Sequence, residues 1–212
     1  MANRYQSNDL ILYIEALFVA AGMDADKSAI VAPLLVEADL MGHTTHGIAQ
    51  APAYLSGLEN SLMKGTGGPL VVADKGATIT WDGQRISGVW LTAKAIDLAI
   101  ERAKKYGTAT IAIRRSGHIA CLAAFLPRAT EKGCMIELAS SDPSIVSVAP
   151  YGGTKPAFTP NPIAVGIPTS DNPILIDISA SITTNGLTGR LFSEGKKLPG
   201  DWVQDKFGQP SD

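Results

Sequence analysis

The segment Gly42-His43-Thr44-Thr45-His46-Gly47 holds two of the three histidines of this 212-residue chain, at the point where a helical pattern gives way to a turn. Because an imidazole exchanges a proton near neutral pH, either ring is a candidate acid or base. The third histidine, His118, follows the apolar run at 110–113 and also lies at the end of a predicted element. The positions of all three rings predict that they face a site.

The His-x-x-His spacing has two other interpretations. It is half of a metal site when both rings share a helical face, but Cys121 and Cys134 are distant in sequence and the motif contains no acidic residue, so no metal site is expected. A histidine near a helix C-terminus also hydrogen-bonds the last carbonyl groups, and this structural role is favoured for His43. A chemical role is favoured for His46, which precedes Gly47.

Composition limits the classes of protein to which the chain belongs. With 45% hydrophobic and 18% charged residues, it can form one large domain or two small ones. A formal net charge of -2, with basic residues in isolated pairs, predicts no nucleic-acid partner. The two cysteines lie among apolar neighbours, and we find no signal peptide and no apolar run of transmembrane length. We therefore expect a cytoplasmic protein with reduced cysteines and no membrane association.

The spacing of apolar residues divides the chain into two segments. Helical patterns run from Ser7 to Gly22, from Asp26 to Gly42 with Pro33 inside, and from Ala49 to Met63. The stretch 64–69 is rich in glycine and reads as a turn or linker. We expect an N-terminal helical segment, 1–65, that carries the histidine motif, and an α/β cofactor-binding domain, 66–212.

The second segment shows short strands that alternate with helices. The predicted elements are strands at 70–72 and 78–81, a helix from Val89 to Tyr106, a strand from Thr108 to Arg114, a helix from Ala120 to Glu131 interrupted by Pro127, and a strand from Met135 to Ala139. This β-α-β-α-β order predicts the α/β class, with a mixed or parallel sheet flanked by helices.

The C-terminal third is less regular. Turn residues cluster over 142–162, which is typical of a functional loop face or of a long surface connection. Residues 173–178 read as a buried strand, and Asp177 near its end is suited to hold a ribose or a phosphate, or simply terminates the strand. No Gly-x-Gly-x-x-Gly follows any strand, so a Rossmann dinucleotide site is not supported.

Four segments in the same order carry a resemblance to a known family. They are Asp39 to Gly47, Arg115 to Ile119, Asn161 to Ala164 and Ile176 to Ser181. Together they resemble the malate/L-lactate dehydrogenase family of the non-Rossmann type, which includes sulfolactate dehydrogenases, diketogulonate reductases and cyclic-imine reductases. The resemblance extends from the first helix to Trp202.

The resemblance implies a sulfolactate dehydrogenase-like fold and a homodimeric oxidoreductase that uses NAD or NADP on small 2-oxo or 2-hydroxy acids. In the family, the histidine matching His46 donates the proton, and the hydroxyl matching Thr45 belongs to its relay. The segments that contact the cofactor match His118, Ile119, Ala120, Cys121 and Leu122, and Asp177, Ile178 and Ser179. Reduction of a carbonyl needs such an acid beside the oxygen while the cofactor supplies hydride to the carbon.

The substrate contacts depart from the family pattern. Gln50 stands where many members have the arginine that binds the substrate carboxylate, and Ala53 stands where another arginine often occurs. We expect Gln50 to contact the substrate and Arg190, or else Arg115, to supply the cation. The loop that often reads Gly-Thr-Asn-Pro begins here with Thr159, which we expect to contact the substrate. Leu187 matches an acid that completes the histidine relay in some members.

Family members also continue well beyond the segment that matches 208–210. The resemblance therefore predicts a truncated chain with an incomplete cofactor pocket, weak or absent NAD(P)H binding, and apolar surface left in water on the strand Ile174-Leu175-Ile176. The alternative to an enzyme is an inactive paralogue or fragment that acts as a structural or dimerising protein.

Overall fold

The computed structural model describes residues 4–211 as six α-helices and eight strands of the α/β class. The helices are α1 Ser7–Ala20, α2 Ala25–Leu40, α3 Ala51–Glu59, α4 Gly88–Tyr106, α5 Pro127–Thr130 and α6 Asn185–Ser193. The strands are β1 Leu70–Asp74, β2 Thr78–Asp82, β3 Thr110–Arg114, β4 Ile136–Ala139, β5 Ile163–Ile167, β6 Ile174–Ile178, β7 Val203–Gln204 and β8 Pro210–Ser211. Within these residues, no helix combines the length and apolarity that crossing a membrane requires.

The three predicted N-terminal helices are present, with α2 retaining Pro33 in its interior. The third is shorter than the prediction from Ala49 to Met63. Residues Ile48–Gln50 form a 3-10 turn, and α3 begins at Ala51 because Pro52 favours the first turn of a helix. It ends at Glu59, after which Ser61 adopts a left-handed backbone conformation.

One hydrophobic core joins the helical segment to the rest of the chain. Phe18 of α1, Leu35 of α2 and Tyr54 of α3 pack in the same buried cluster as Leu91 of α4 and Phe125. The core therefore extends across the linker at 64–69, and its packing fixes the end of α2 relative to the segment after β3.

The first sheet has the order β1-β2-β3 and confirms the prediction of a mixed sheet. β1 and β2 form an antiparallel pair, whereas β2 and β3 are parallel and are connected through α4. The α4 helix ends at Gly107, which has a φ of +85°. A left-handed residue is the usual way to close a helix, and glycine adopts it without a steric penalty.

The fourth strand does not extend this sheet but begins a second one, which the β-α-β-α-β order did not predict. β4 instead pairs antiparallel with β5, which pairs antiparallel with β6. The helix expected from Ala120 to Glu131 is reduced to a 3-10 turn at Ala123–Phe125 and the short α5. Pro127 has no N–H and stands at the first position of α5, so a continuous helix does not form across it.

The prediction that residues 173–178 form a buried strand is correct in type and wrong in burial. β6 is an edge strand that pairs only with β5. Ile174 is 50%, Leu175 36% and Ile176 43% exposed. This exposure agrees with the separate expectation that the strand leaves apolar surface in water. An exposed apolar edge strand is a surface on which further chain or another subunit can pack.

Candidate active site

The loop at residues 42–47, called here the histidine loop, begins where α2 ends. Gly42 has a φ of +87°, and the backbone N–H of His43 donates to the carbonyl of Ala38 at 2.8 Å. The expected bond from the His43 ring to the last carbonyl groups is therefore wrong, since the backbone makes it. The ring itself is exposed and has no hydrogen bond to any residue in the described part of the chain.

Asp39 holds the other end of the histidine loop. Its carboxylate accepts a hydrogen bond of 2.7 Å from the N–H of Ile48. Gly47 packs so closely against this carboxylate that a Cβ there would overlap it. Asp39 had no role predicted from the sequence, although its position carries a signal: an acidic side chain in the last turn of a helix interacts unfavourably with the helix dipole, so another contact must favour it there.

His46 is half-buried and held at one ring nitrogen. Its Nδ1 lies 2.9 Å from Thr45 Oγ1, and Gln50 Nε2 donates to the carbonyl of Thr45 at 2.7 Å. Burial lowers the pKa of His46, the charge of Asp177 opposes that shift, and His43 adds to it. The Thr45 contact leaves Nε2 as the nitrogen that can exchange a proton with a ligand.

His118 is fixed as a neutral ring by the hydrogen bonds at its Nδ1. The backbone N–H of Ala120 lies 3.3 Å from this atom, and the hydroxyl of Tyr54 lies 2.8 Å from it. Because a backbone amide can only donate, Nδ1 is an acceptor and the proton resides on Nε2. Burial, followed by the charge of His46, lowers the pKa of His118 to about 4, against a smaller opposing effect of Asp142. His118 as a whole residue is nevertheless exposed to solvent, so the hydrogen bonds at Nδ1, more than burial, hold the ring neutral.

The rings of His46 and His118 lie 5.8 Å apart between centroids. A positive charge on either ring would raise the free-energy cost of protonating the other ring. The hydrogen bonds at His118 already favour its neutral form. His46 is therefore the ring of this pair that can act as an acid.

Asp177 brings together the two segments that the family resemblance connects with the cofactor. Its Oδ2 accepts a hydrogen bond of 2.9 Å from the N–H of Ala123 and lies 3.8 Å from Cys121 Sγ. Ala120, Cys121 and Leu122 are buried, whereas Ile119 is half-buried and Ile178 is exposed. Burial raises the pKa of the Cys121 thiol to about 11. Beyond β6, Ser179 Oγ donates to the carbonyl of Ser181.

A cleft of about 280 Å³ opens beside the histidine loop. Arg190 of α6 reaches it, and its Nη1 donates to Thr44 Oγ1 at 3.2 Å. Leu187 of the same helix also lies on the cleft, and Thr184 caps that helix by accepting the N–H of Leu187 at 3.1 Å. The remaining lining residues are Gly42, His43, Thr45, Ile182, Thr183 and Trp202.

Arg115, the second candidate for the substrate cation, is not brought to this cleft. Its Nε lies 2.9 Å and its Nη2 2.6 Å from the carboxylate of Asp82, which is buried. Arg114 also contacts this carboxylate at 3.2 Å. The hydrogen bond from Arg115 holds the pKa of Asp82 below its usual value. Arg115 therefore serves a structural ion pair.

The loop that begins at Thr159 lies beside the end of β6. Thr159 is buried, the N–H of Ala180 donates to the carbonyl of Pro160 at 2.7 Å, and the N–H of Ser140 donates to the carbonyl of Pro162.

A larger cleft of about 520 Å³ lies elsewhere, along 64–68, and Lys64 is its one ionisable lining residue. The smaller cleft is the better candidate site because residues 42–45 of the histidine loop and Arg190 line it, and His46 follows directly in the sequence without being a lining residue itself.

Solved dehydrogenase structures share this fold. The malate dehydrogenase of Entamoeba histolytica matches with a TM-score of 0.92 and 26% identity, covering 99% of this chain and 58% of that protein. The sulfolactate dehydrogenase of Methanocaldococcus jannaschii matches with a TM-score of 0.86 and 25% identity, covering 97% of this chain and 59% of that one. The predicted sulfolactate dehydrogenase-like fold is confirmed.

The chain belongs to the malate/L-lactate dehydrogenase family, whose sequence profile matches residues 5–212. Hydroxycarboxylate dehydrogenase B of Escherichia coli K12 is 30% identical over 210 residues, which cover 99% of this chain and 58% of that protein. The family resemblance expected from the four sequence segments is thus confirmed. The chain spans less than two thirds of the length of these relatives.

Proposed function

We propose that this chain carries the acid and part of the nicotinamide site of an NAD(P)-dependent oxidoreductase that acts on small 2-oxo and 2-hydroxy acids. The observation that carries the proposal is the grouping of His46, a half-buried imidazole held at Nδ1, with the neutral ring of His118 and the carboxylate of Asp177. The names of the relatives support the substrate class, since they include malate, sulfolactate and hydroxycarboxylate dehydrogenases.

The polar atoms around the cleft fit a polar ligand. The hydroxyl of Thr183, which lines the cleft, is buried and has no hydrogen-bond partner within residues 4–211. Unpaired buried polar atoms are costly, and a bound amide or carboxylate would remove that cost.

The chain's own residues have separate tasks in this reaction. When bound, the nicotinamide supplies or accepts the hydride. His46 transfers the proton to or from the substrate oxygen through Nε2, and Thr45 holds the opposite ring nitrogen. Arg190, on the cleft, pairs with the substrate carboxylate in place of the arginine that Gln50 replaces.

The proposal is tested by following oxidation of NADH and of NADPH with pyruvate, oxaloacetate and glyoxylate as candidate 2-oxo acids. We expect oxidation that requires both the chain and a 2-oxo acid. Oxidation that proceeds equally without the acid, or not at all at millimolar cofactor and high protein concentration, would contradict the proposal.

The second candidate function is that of a structural or dimerising protein without turnover. It is favoured by the exposed apolar side chains of β6. A stable dimer with no cofactor-dependent reaction would support this candidate, and a monomer with turnover would exclude it. Light scattering on the purified chain measures whether it is a monomer or a dimer.

A further inference from the structure

His43, Cys121 and Asp177 converge from three parts of the fold. His43 follows α2, Cys121 lies in the segment after β3, and Asp177 stands near the end of β6. One ligand atom from each, a ring nitrogen, the Sγ and a carboxylate oxygen, lies within 4.8 Å of the other two. Cys121 and Asp177 are distant from His43 along the chain, and the tertiary fold brings all three together.

The three atoms match the ligands that Zn²⁺ takes in proteins, namely imidazole nitrogen, thiolate sulfur and carboxylate oxygen. Cys121 Sγ lies 3.8 Å from Asp177 Oδ2. A tetrahedral zinc ion at ordinary bond lengths separates a sulfur from an oxygen ligand by about 3.6 Å. These two side chains therefore already have the spacing of two corners of a zinc site.

The His43 ring needs only a side-chain rotation to become the third ligand. The His43 ring is exposed and makes no hydrogen bond to residues 4–211, so nothing in that part of the chain holds it away from the ion. The N–H of Ala123 meanwhile orients the Asp177 carboxylate at 2.9 Å, the kind of outer contact that fixes metal ligands. Because His43 is exposed, the fourth position faces solvent.

We propose that His43, Cys121 and Asp177 bind Zn²⁺ with a water molecule as the fourth ligand. The Zn–S bond replaces the S–H bond of Cys121, the proton passes to solvent, and no atom changes oxidation state. Three protein ligands and one water describe an open site, in which another ligand can take the fourth position. Resting on the proposed function, we further infer that zinc and the nicotinamide cofactor exclude each other, since Cys121 and Asp177 lie in the segments assigned to the cofactor.

Cobalt(II) tests the metal site directly, because a Co²⁺–thiolate bond gives an intense near-ultraviolet absorption and tetrahedral Co²⁺ gives visible bands. We expect both absorptions when one equivalent of Co²⁺ is added to the reduced protein, and their loss when Zn²⁺ is added. The Cys121→Ser variant should lack the near-ultraviolet absorption, whereas Cys134→Ser, the matched control at the second cysteine, should keep it. Absence of the band in the unaltered protein, or its survival in Cys121→Ser, overturns the proposal.

His43→Ala provides a variant that leaves the fold intact, because that ring is exposed and makes no hydrogen bond to the described residues. We expect its dissociation constant for Co²⁺ to rise at least about tenfold, which is the usual lower bound for disturbing a metal site. An unchanged constant removes His43 from the site and overturns the three-ligand assignment.

Titration with NADH in the presence and absence of one equivalent of Zn²⁺ tests the exclusion. The apparent dissociation constant of NADH should rise with zinc in the unaltered protein and in Cys134→Ser, but not in Cys121→Ser. If zinc leaves the dissociation constant of NADH unchanged, only the inferred mutual exclusion of zinc and cofactor is contradicted. Failure of NADH to bind in any sample contradicts both the proposed function and the exclusion, while the cobalt spectrum still decides the metal site.

Discussion

The hydroxyl of Tyr54 in α3 lies 2.8 Å from Nδ1 of His118, which the segment after β3 contributes. Burial raises the pKa of Tyr54, so this hydroxyl keeps its proton and donates. With the N–H of Ala120 directed at the same nitrogen, His118 presents Nε2–H as a fixed donor. The site thus combines a ring held neutral by its hydrogen bonds with a second ring, His46, whose Nε2 is available for proton exchange.

The first prediction concerns this tautomer. Nitrogen-detected NMR of labelled histidine should show His118 neutral at pH 7 with the proton on Nε2. In Tyr54→Phe, which removes one donor to Nδ1 and little volume, the pKa of His118 should rise, because the neutral ring loses a hydrogen bond that favours it. A proton found on Nδ1 in the unaltered protein would show that the assigned hydrogen bonds are wrong.

Replacement of His46 tests the proposed acid. His46→Ala should lower turnover by about 10² to 10⁴-fold, the usual contribution of a general acid, and leave cofactor binding largely unchanged. Added imidazole should restore part of the lost rate by supplying the missing acid. Steady-state kinetics with and without imidazole measures both effects, and an unaltered rate in the variant removes His46 from the mechanism.

Arg190 and Arg115 provide a matched pair for the carboxylate contact. Arg190→Met should raise the KM for a 2-oxo acid by about 10 to 100-fold, since a hydrogen-bonded charge pair is lost. Arg115→Met should leave that KM unchanged and lower stability, because it deprives buried Asp82 of its closest cation. Kinetics and urea unfolding of both variants measure these effects, and the reverse pattern would assign the contact to Arg115.

Stability should depend on pH through His118. Its pKa is about 4 in the folded protein and 6.5 in an unperturbed chain, so between these values the unfolded state binds more protons than the native one. Stability is therefore highest above pH 6.5 and falls as the pH drops towards 4. His46, whose pKa is also lowered, acts in the same direction.

Urea unfolding at about pH 7 and about pH 5 measures this loss. The His118→Asn variant keeps an acceptor near the position of Nδ1 but does not titrate, so its midpoint should fall less between the two pH values. A fall as large as that of the unaltered protein would assign the pH dependence to other groups.

Local patterns in the sequence predicted the elements well and their pairing less well. Helices α1, α2 and α4 follow from the spacing of apolar residues, and the glycine at 107 marks the end of α4 where the structure has it. The pairing of β4 with β5 could not be predicted from the sequence, because the apolar pattern of a strand does not specify which strand it pairs with. Pro127 was the signal that no long helix connects β3 to β4, and hence that a parallel pairing through such a crossover was unsupported.

The site was predictable where a single motif carries it and not where separate segments meet. The contact of Thr45 with His46 joins neighbours in the sequence. The convergence of His43, Cys121 and Asp177 depends on long-range packing, which no local spacing encodes. The preference for Arg190 over Arg115 in the proposed function likewise required the structure, because Arg115 is paired with buried Asp82.

Transfer of deuterium from NADH or NADPH that carries deuterium in both C4 positions of the nicotinamide tests whether hydride is transferred at the site in which His46 supplies the proton. Incubation of the chain with this cofactor and a 2-oxo acid should yield a 2-hydroxy acid with one deuterium at C2, detectable by mass spectrometry even when turnover is slow. The same incubation with His46→Ala should yield far less of this product. A 2-hydroxy acid without the label, or labelled product formed equally by His46→Ala, would contradict hydride transfer at a site in which His46 supplies the proton.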